Sequence, residues 1–427
     1  MAVKSLKTGF IPVIKTYKGL IAAAFTLMVF SGFCQSVFFG VYLPEIQDRF
    51  EIKKTALGSL YAAATVLSAL LMAWSGKFLD SMPLTRFISV VLIGLALGCV
   101  LMALATHPLM LFLAFLLLRQ FGQGLMTLSG TTAINRYIEE GRGRAQSLAQ
   151  TGLPVHSALF PVAGIFILES LGYTASWIVY AVFIVLVLLP FYWILLRSHE
   201  EKTHKVWRDK IDEAERTTPA DLLPDQWTRN RVLKDWRFYV IMAVMIIPPC
   251  FGTCVFFYQS VLADHHGITA AAFAGGFVFL TLASVTSALV AGVVMDQWGE
   301  GPLLLSFPLI YALGLLALAF APGMVGAYIG LSIIGIGGGM MTITGGPLFA
   351  KLYGTKHYGS IKSLSVIAMI LASAVSPPLA GYLLDNDIGI ASILVYFALY
   401  SLLAWGIIVA GIKKITKTET TGEARIL

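Results

Sequence analysis

Arg119 and His156 are two ionisable side chains that lie deep within apolar stretches of this sequence. Ten uncharged residues (109–118) precede Arg119, and the next charge along the chain is Arg136. A guanidinium stays charged in any surroundings and binds carboxylates through paired N–H groups. An imidazole changes its charge near neutral pH and can carry a proton. The two residue types therefore predict anion binding and proton transfer.

The elements that must position these residues are long apolar helices. The chain has 427 residues, of which 57% are hydrophobic and 12% are charged. A soluble protein of this length cannot bury that much apolar surface, whereas about 20 apolar residues cross a bilayer core of about 30 Å. Twelve spans are predicted, at 17–40, 55–79, 86–106, 109–131, 147–169, 172–196, 237–262, 270–295, 302–320, 323–348, 359–384 and 388–412.

The basic residues predict the orientation of these spans. Of the 30 lysines and arginines, only Arg49, Lys53, Lys54 and Arg119 fall outside the segments that share a side with the N-terminus. Positive charge is retained on the cytoplasmic side of membranes. We therefore expect a multi-pass protein of the cell inner or plasma membrane with both termini in the cytoplasm. Topology accounts for the net charge of +7, so no nucleic-acid partner is predicted.

The two halves of the chain resemble each other. At an offset of 216 residues, Gly76 and Asp80 fall on Gly292 and Asp296, and Glu169 falls on Asp385. Parallel repeats of this kind form two bundles with a substrate cavity between them. The predicted organisation is an N-terminal six-helix bundle (1–196), a charged cytoplasmic linker (197–236) and a C-terminal six-helix bundle (237–427).

These features resemble the major facilitator superfamily over the whole chain. The loop after the second span carries the Gly-x-x-x-Asp pattern of that family as Gly76 to Asp80 and ends at Arg86, with a weaker copy at Gly292 to Asp296. The resemblance implies an all-α membrane protein with twelve helices in two pseudo-symmetric bundles. It also implies a cytoplasmic gate, in which the aspartates pair with the basic side chains of Arg136, Arg142 and Arg144. The alternative is that each aspartate only anchors the loop at the C-terminal end of its helix.

A closer resemblance rests on residues 122–149, GQGLMTLSGTTAINRYIEEGRGRAQSLA. This segment is similar to bacterial members that resemble monocarboxylate transporters and oxalate/formate antiporters. In the superfamily, spans one, four, seven and ten line the cavity. With His156 of span five added, the substrate-binding candidates are Gln35, Arg119, Gln123, His156, Thr253, Tyr258 and Thr342.

The sequence offers Arg119 no acidic partner at its own expected depth in the membrane. Of the 23 acidic residues, none is expected near the middle of the membrane. An ionisable group there costs at least about 2.5 kcal/mol unless it is paired or faces water. We expect a transported anion to be the partner; the alternative is that Arg119 only binds carbonyl oxygens or the amides of Gln35 or Gln123. The position in the second half that corresponds to Arg119 is Gly335, so only the N-terminal half carries a charge there.

His156 and Glu169 are the candidates for proton coupling. His156 is expected near mid-membrane, where it could also be a neutral histidine that only packs helices. Glu169 is expected at the outer end of span five, where an interfacial role is the alternative.

The predicted function is secondary transport of a small organic anion, a carboxylate, by alternating access with proton symport or anion exchange. Efflux of drugs or other amphiphilic solutes is the main alternative, and a sugar carrier or a sensor is also open. No phosphate-binding loop or metal-ligand pattern is found, so neither an enzyme nor a cofactor is predicted. The protein is expected to act as a monomer.

Overall fold

Long helices make up the structure, a computed structural model that describes residues 10–138, 142–196, 227–353 and 358–415. Side chains at 10, 73–74, 76–81, 135–136, 142–143, 296, 346–347, 350–351, 358–360 and 412–415 are outside this description. The linker predicted at 197–236 falls largely outside it as well.

The helices follow one another along the chain with short connections. Their bounds are α1 Phe10–Phe30, α2 Ser36–Phe50, α3 Lys54–Ser81, α4 Leu84–Leu104, α5 Pro108–Leu117, α6 Thr127–Tyr137, α7 Arg142–Gln150, α8 Gly152–Phe183, α9 189–196, α10 Arg229–Val232, α11 Trp236–Met245, α12 Ile247–Phe257, α13 Gln259–His266, α14 Ala270–Trp298, α15 Gly301–Phe320, α16 Gly323–Tyr353, α17 Tyr358–Asp385 and α18 Ile390–Ile415. A 3-10 turn, Ser31–Cys34, joins α1 to α2. Two π-helical segments, Leu118–Met126 and Ile184–Leu188, join α5 to α6 and α8 to α9.

The described residues contain eleven stretches that are long and apolar enough to cross a membrane. One of them, Arg144–Leu196, has 53 residues. A straight helix of that length would measure about 80 Å, more than twice the bilayer core. Gly172 breaks it with φ 75° and ψ 173°, a backbone conformation that favours glycine. The stretch therefore makes two crossings, and the twelve predicted spans are confirmed.

The spans form two six-helix bundles. Within the C-terminal half, α14 packs against α16, and α15 packs against α16 and α18. Contacts between the halves run mainly from α3 to α17, from α8 to α14 and from α2 to α12. We call the side where α1 begins and α18 ends the terminal face, and the other side the opposite face.

At the opposite face the two bundles are joined by hydrogen bonds. The Asp385 carboxylate accepts from the backbone N–H of Thr55 at 2.8 Å, from its hydroxyl at 2.6 Å and from the N–H of Lys54 at 3.3 Å. A carboxylate is favourable at the first residues of a helix, here α3, whose N–H groups have no partners within the helix.

Two neighbouring side chains of the C-terminal bundle add to these contacts. Gln259 donates across the bundles to the carbonyl of Val37 at 2.7 Å. The Tyr258 hydroxyl donates to the carbonyl of Pro377 within its own bundle at 2.7 Å and lies 3.5 Å from the carbonyl of Lys54 in the N-terminal bundle. We call the contacts of Asp385, Tyr258 and Gln259 the opposite-face seal. They hold this face closed.

The residues of the predicted cytoplasmic gate lie at the terminal face. Gly76 is in α3 and Gly292 in α14, while Arg86 is exposed on α4 and Arg144 is half-buried on α7. The side chains of Asp80, Arg136, Arg142 and Asp296 lie outside the described residues. The gate therefore stays a prediction.

Close contact of the 3-10 turn with the first π-helical segment sets the depth of Arg119. A Cβ atom at Gly122 would lie 1.8 Å from the Cys34 sulfur. Only glycine allows the two backbones to approach this closely.

Gly122→Ala should lower the apparent melting temperature of the purified protein, because overpacking a close contact costs about 1–3 kcal/mol. Gly338→Ala is the matched control, since it is also a helical glycine but its added Cβ would meet nothing within 4 Å. That variant should be neutral or slightly stabilising. Equal melting temperatures for the two variants would contradict this account of the packing.

Asp385→Asn should weaken the opposite-face seal, because it removes the charge from three hydrogen bonds. A loss of about 1–2 kcal/mol would shift the closed-to-open ratio by about five- to thirty-fold. Spin labels at the exposed positions Asp48 and Asn386, one in each bundle, would report an added population at longer distance. Asp387→Asn, an exposed change two residues away, should leave the distances as they are; equal effects of both changes would argue against the carboxylate contact.

Candidate functional site

Arg119 lies on the π-helical segment between α5 and α6 and is 4% exposed. Its Nη1 donates to the carbonyl oxygen of Cys34 at 3.3 Å. Its guanidinium carbon lies 4.9 Å from the centre of the Tyr61 ring, a favourable cation–π distance. Among the described residues, no carboxylate forms an ion pair with Arg119. The guanidinium is therefore held in place without being neutralised.

The π-helical segment aligns a row of polar side chains. Arg119, Gln123, Thr127 and Thr131 are spaced by four residues, and all four line one cavity. In a regular α-helix, with 3.6 residues per turn, such a row drifts around the helix. The wider π-helical turn rotates residues four apart in the opposite direction, so the two drifts partly cancel where the segment continues into α6. The segment thus places a polar row between Arg119 and the terminal face.

Two cavities meet at Arg119. The first, which we call the central cavity, has a volume of about 300 Å³. The second, the terminal-side cavity, has about 850 Å³ and reaches Gln150 of α7 and Lys362 of α17. Both are lined by Gln35, Arg119, Gln123, Val366 and Ile370. Arg119 therefore stands at the junction of a small site and a wider passage.

The two walls of the central cavity differ in polarity. The N-terminal bundle contributes mostly polar side chains, namely Gln35, Ser36, Tyr61, Arg119, Gln123, His156 and Ser157. The C-terminal bundle contributes mostly apolar ones, namely Pro248, Pro249, Phe256, Val366, Met369 and Ile370, together with Thr253 and Ser373. No acidic residue lines either cavity among the described residues. The site is thus cationic on one wall and apolar on the other.

His156 borders the central cavity from α8. It is 6% exposed, and its Nδ1 is buried without a hydrogen-bond partner. Gly32 packs directly against it, since a Cβ there would lie 2.6 Å from the His156 Cβ. A buried polar atom without a partner is rare in folded proteins. This ring nitrogen is available to a ligand or a proton.

The side chains of Gln35 and Gln123, which line both cavities beside Arg119, also make no hydrogen bond among the described residues. Gln35 follows the 3-10 turn in an extended conformation, with φ −84° and ψ 154°, and this break in the first span turns it to the cavities. Gln123 lies four residues after Arg119 on the same face. Thr253 also lines the central cavity, but its hydroxyl donates to the carbonyl of Pro249 at 2.6 Å.

Three predicted site residues line neither cavity. Tyr258 is fully buried at the opposite-face end of α12, where its hydroxyl belongs to the seal. Thr342 is exposed on α16 and donates to the carbonyl of Gly339 at 2.7 Å. Glu169 is exposed near the end of the fifth span. The spans were identified, but the face that each span presents to the two cavities was not, and the roles of Tyr258 and Thr342 in binding stay predictions.

Tyr61, Ser36 and Ser157 line the central cavity but were not among the predicted residues. A signal for Tyr61 exists in the sequence. Tyr61, Thr65 and Ser68 are polar residues at helical spacing in an otherwise apolar span, so they share one face of α3. All three line one or the other cavity.

Solved structures show the same fold. A bacterial homologue of the human lysosomal transporter Spinster, in an inward-facing and occupied conformation, superposes with a TM-score of 0.70 at 13% identity over 93% of this chain and 97% of that chain. A structure of the same description in an unoccupied conformation gives 0.69 at 14% identity over the same shares. At these identities the likeness concerns the fold alone.

Sequence comparison agrees with the fold. A multidrug resistance protein B homologue of Mycobacterium tuberculosis (strain CDC 1551 / Oshkosh) is 30% identical over 126 residues, which are 30% of this chain and 23% of that protein. The match thus spans less than a quarter of that relative's length. The sequence model of the Major Facilitator Superfamily matches residues 24–365 and 258–425. The chain therefore belongs to the Major Facilitator Superfamily and is a multi-pass membrane protein of the transporter class.

Proposed function

We propose that this transporter moves a small organic anion, a carboxylate, and that Arg119 binds the carboxylate group. The supporting observation is a buried guanidinium at the junction of two cavities, with no carboxylate partner among the described residues. Leaving such a charge unpaired costs several kcal/mol. A transported anion removes this cost while it is bound.

The size and polarity of the central cavity suggest what kind of anion fits. A volume of about 300 Å³ is at the lower end of the range for small-molecule sites. One cationic wall suits one carboxylate, and the apolar wall suits an uncharged body. The subfamily resemblance, to monocarboxylate and oxalate/formate carriers, agrees with a small carboxylate.

Transport would follow alternating access between the two bundles. The opposite-face seal is closed, and the wider terminal-side cavity reaches the residues near the terminal face. From the distribution of basic residues, we assign the terminal face to the cytoplasm. Opening outward would require the seal to break while the cytoplasmic gate around Asp80 and Asp296 forms.

Efflux of amphiphilic solutes is the second candidate. It is favoured by the partial match to a multidrug resistance protein homologue and by the larger terminal-side cavity. A thermal-shift screen separates the two, because a ligand that binds the folded state raises its melting temperature. The panel would contain lactate, pyruvate, benzoate, oxalate and tetraphenylphosphonium. Stabilisation by carboxylates supports the proposal, and stabilisation by the lipophilic cation alone would replace it with efflux.

Arg119→Gln should abolish carboxylate binding and uptake into proteoliposomes while the protein still folds. Losing one partner of a buried charge pair costs about 2–5 kcal/mol, which is at least about thirty-fold in affinity. Arg119→Lys should also fail if the two oxygens are held by a paired fork of N–H groups.

Arg49→Gln is the matched control for these variants. Arg49 is also stacked on a tyrosine, with 5.2 Å to the ring centre of Tyr173, but it is exposed at the opposite face and lines neither cavity. It should transport as the parent does. Normal uptake by Arg119→Gln would refute the anion site.

His156→Gln should uncouple transport from protons if His156 carries them. Accumulation driven by a pH gradient would be lost, whereas exchange of labelled for unlabelled carboxylate at equal pH would continue. The exposed His265→Gln should retain both activities. If His156→Gln still accumulates substrate when a pH gradient is imposed, another group carries the proton.

A further inference from the structure

Tyr61 stands between the anion site and the opposite-face seal. It lies on α3, is 1% exposed and borders the central cavity. On one side, the guanidinium carbon of Arg119 lies 4.9 Å from the centre of the Tyr61 ring. On another side it packs against Phe257 of α12, with 4.9 Å between ring centres and 48° between the rings. One side chain thus touches both the charge of the N-terminal bundle and an aromatic ring of the C-terminal bundle.

The hydroxyl group of Tyr61 is buried and has no hydrogen bond of ordinary geometry, although the hydroxyl groups of Ser36 and Thr65 lie close to it. A buried hydroxyl without a partner is costly, and it seeks an acceptor. The Arg119 guanidinium, which only donates, cannot serve. A carboxylate held by Arg119 would bring acceptor oxygens into the cavity that Tyr61 borders.

Phe257 connects Tyr61 to the opposite-face seal. The next two residues along the chain are Tyr258 and Gln259, whose side chains make the bonds to Pro377 and Val37. Close packing supports this region, because a Cβ at Gly40 would lie 2.1 Å from the carbonyl oxygen of Phe256. A shift of the Tyr61 ring would therefore displace residues that hold the two bundles together.

We infer that Tyr61 couples anion binding to the opposite-face seal: its hydroxyl donates to the bound carboxylate, and its ring transmits the resulting movement to Phe257. The inference rests on the anion transport proposed above. An occupied site pulls the hydroxyl towards the anion and loosens the contact with Phe257. An empty site leaves the ring between Arg119 and Phe257, and the seal stays closed.

Two substitutions separate the hydroxyl from the ring. Tyr61→Phe keeps the ring and removes the donor, whereas Tyr61→Leu removes the ring as well. Tyr353→Phe is the matched control, because Tyr353 is also a buried tyrosine but lines neither cavity.

The experiment measures binding and the seal in the same full-length proteins. Lactate, pyruvate and benzoate are titrated by thermal shift. Spin labels at Asp48 and Asn386 report the distance across the opposite face, with Cys34, Cys99, Cys250 and Cys254 replaced by alanine.

Tyr61→Phe should bind the effective carboxylate about ten-fold more weakly. Without carboxylate, the distance between its spin labels should match the distance in the parent. Saturating carboxylate should change that distance less in Tyr61→Phe than in the parent. Tyr61→Leu should show the longer distance even without carboxylate. Tyr353→Phe should behave as the parent in both measurements.

The outcomes distinguish the inference from the proposed function. If the parent responds to a carboxylate and both Tyr61 variants match it in affinity and in distance, the inference is overturned and the anion site stands. If Tyr61→Phe weakens binding but Tyr61→Leu keeps the seal closed, Tyr61 is a binding residue and the coupling is overturned. If none of the three carboxylates stabilises the parent, the proposed function fails first.

Discussion

A buried positive charge that no described carboxylate neutralises is the constraint on which this structure depends. Guanidinium groups remain protonated even when buried, so Arg119 cannot escape its cost by losing a proton. The surroundings provide only partial compensation: one carbonyl oxygen and the face of one aromatic ring. Two cavities and two glutamine amides without partners surround it. Together these features are the basis for the proposal that an anion enters and leaves this site.

The local backbone is adapted to this one residue. A π-helical segment, which is rare, occupies the nine residues from Leu118 to Met126. A glycine within it allows the first span to approach, and the first span is itself interrupted where Gln35 faces the cavities. Departures from regular helix thus coincide with the polar site, as they often do at functional sites. The second π-helical segment, Ile184–Leu188, and the break at Gly172 lie outside the two cavities, and the apolar spans supply the frame.

The sequence was sufficient for the number of spans, and it singled out Arg119, His156, Gln35 and Gln123, which line the cavities, because charge and polarity are conspicuous in an apolar chain. Their roles in binding stay predictions. It was insufficient for orientation about each helix axis. Tyr258 and Thr342 lie on the expected spans, but the Tyr258 hydroxyl is bound by the carbonyls of Pro377 and Lys54, and Thr342 lines neither of the two cavities. Tyr61 was missed because a tyrosine in an apolar span usually packs, and its role depends on two partners far away in sequence. The π-helical segment has no signature in the residues that form it.

The one-sided charge has a consequence for the transport cycle. With Arg119 on one bundle and the corresponding position occupied by Gly335, the C-terminal bundle has no acidic side chain among the described lining residues to pair with it; its Lys362, in the terminal-side cavity, is also positive. When both faces close around an empty cavity, the guanidinium loses access to water and gains no counter-ion, so that state is high in energy. When both faces close around a bound anion, the charges cancel. Under the proposed anion transport, such a carrier would change its orientation readily when loaded and reluctantly when empty, which would favour one-for-one exchange over leakage.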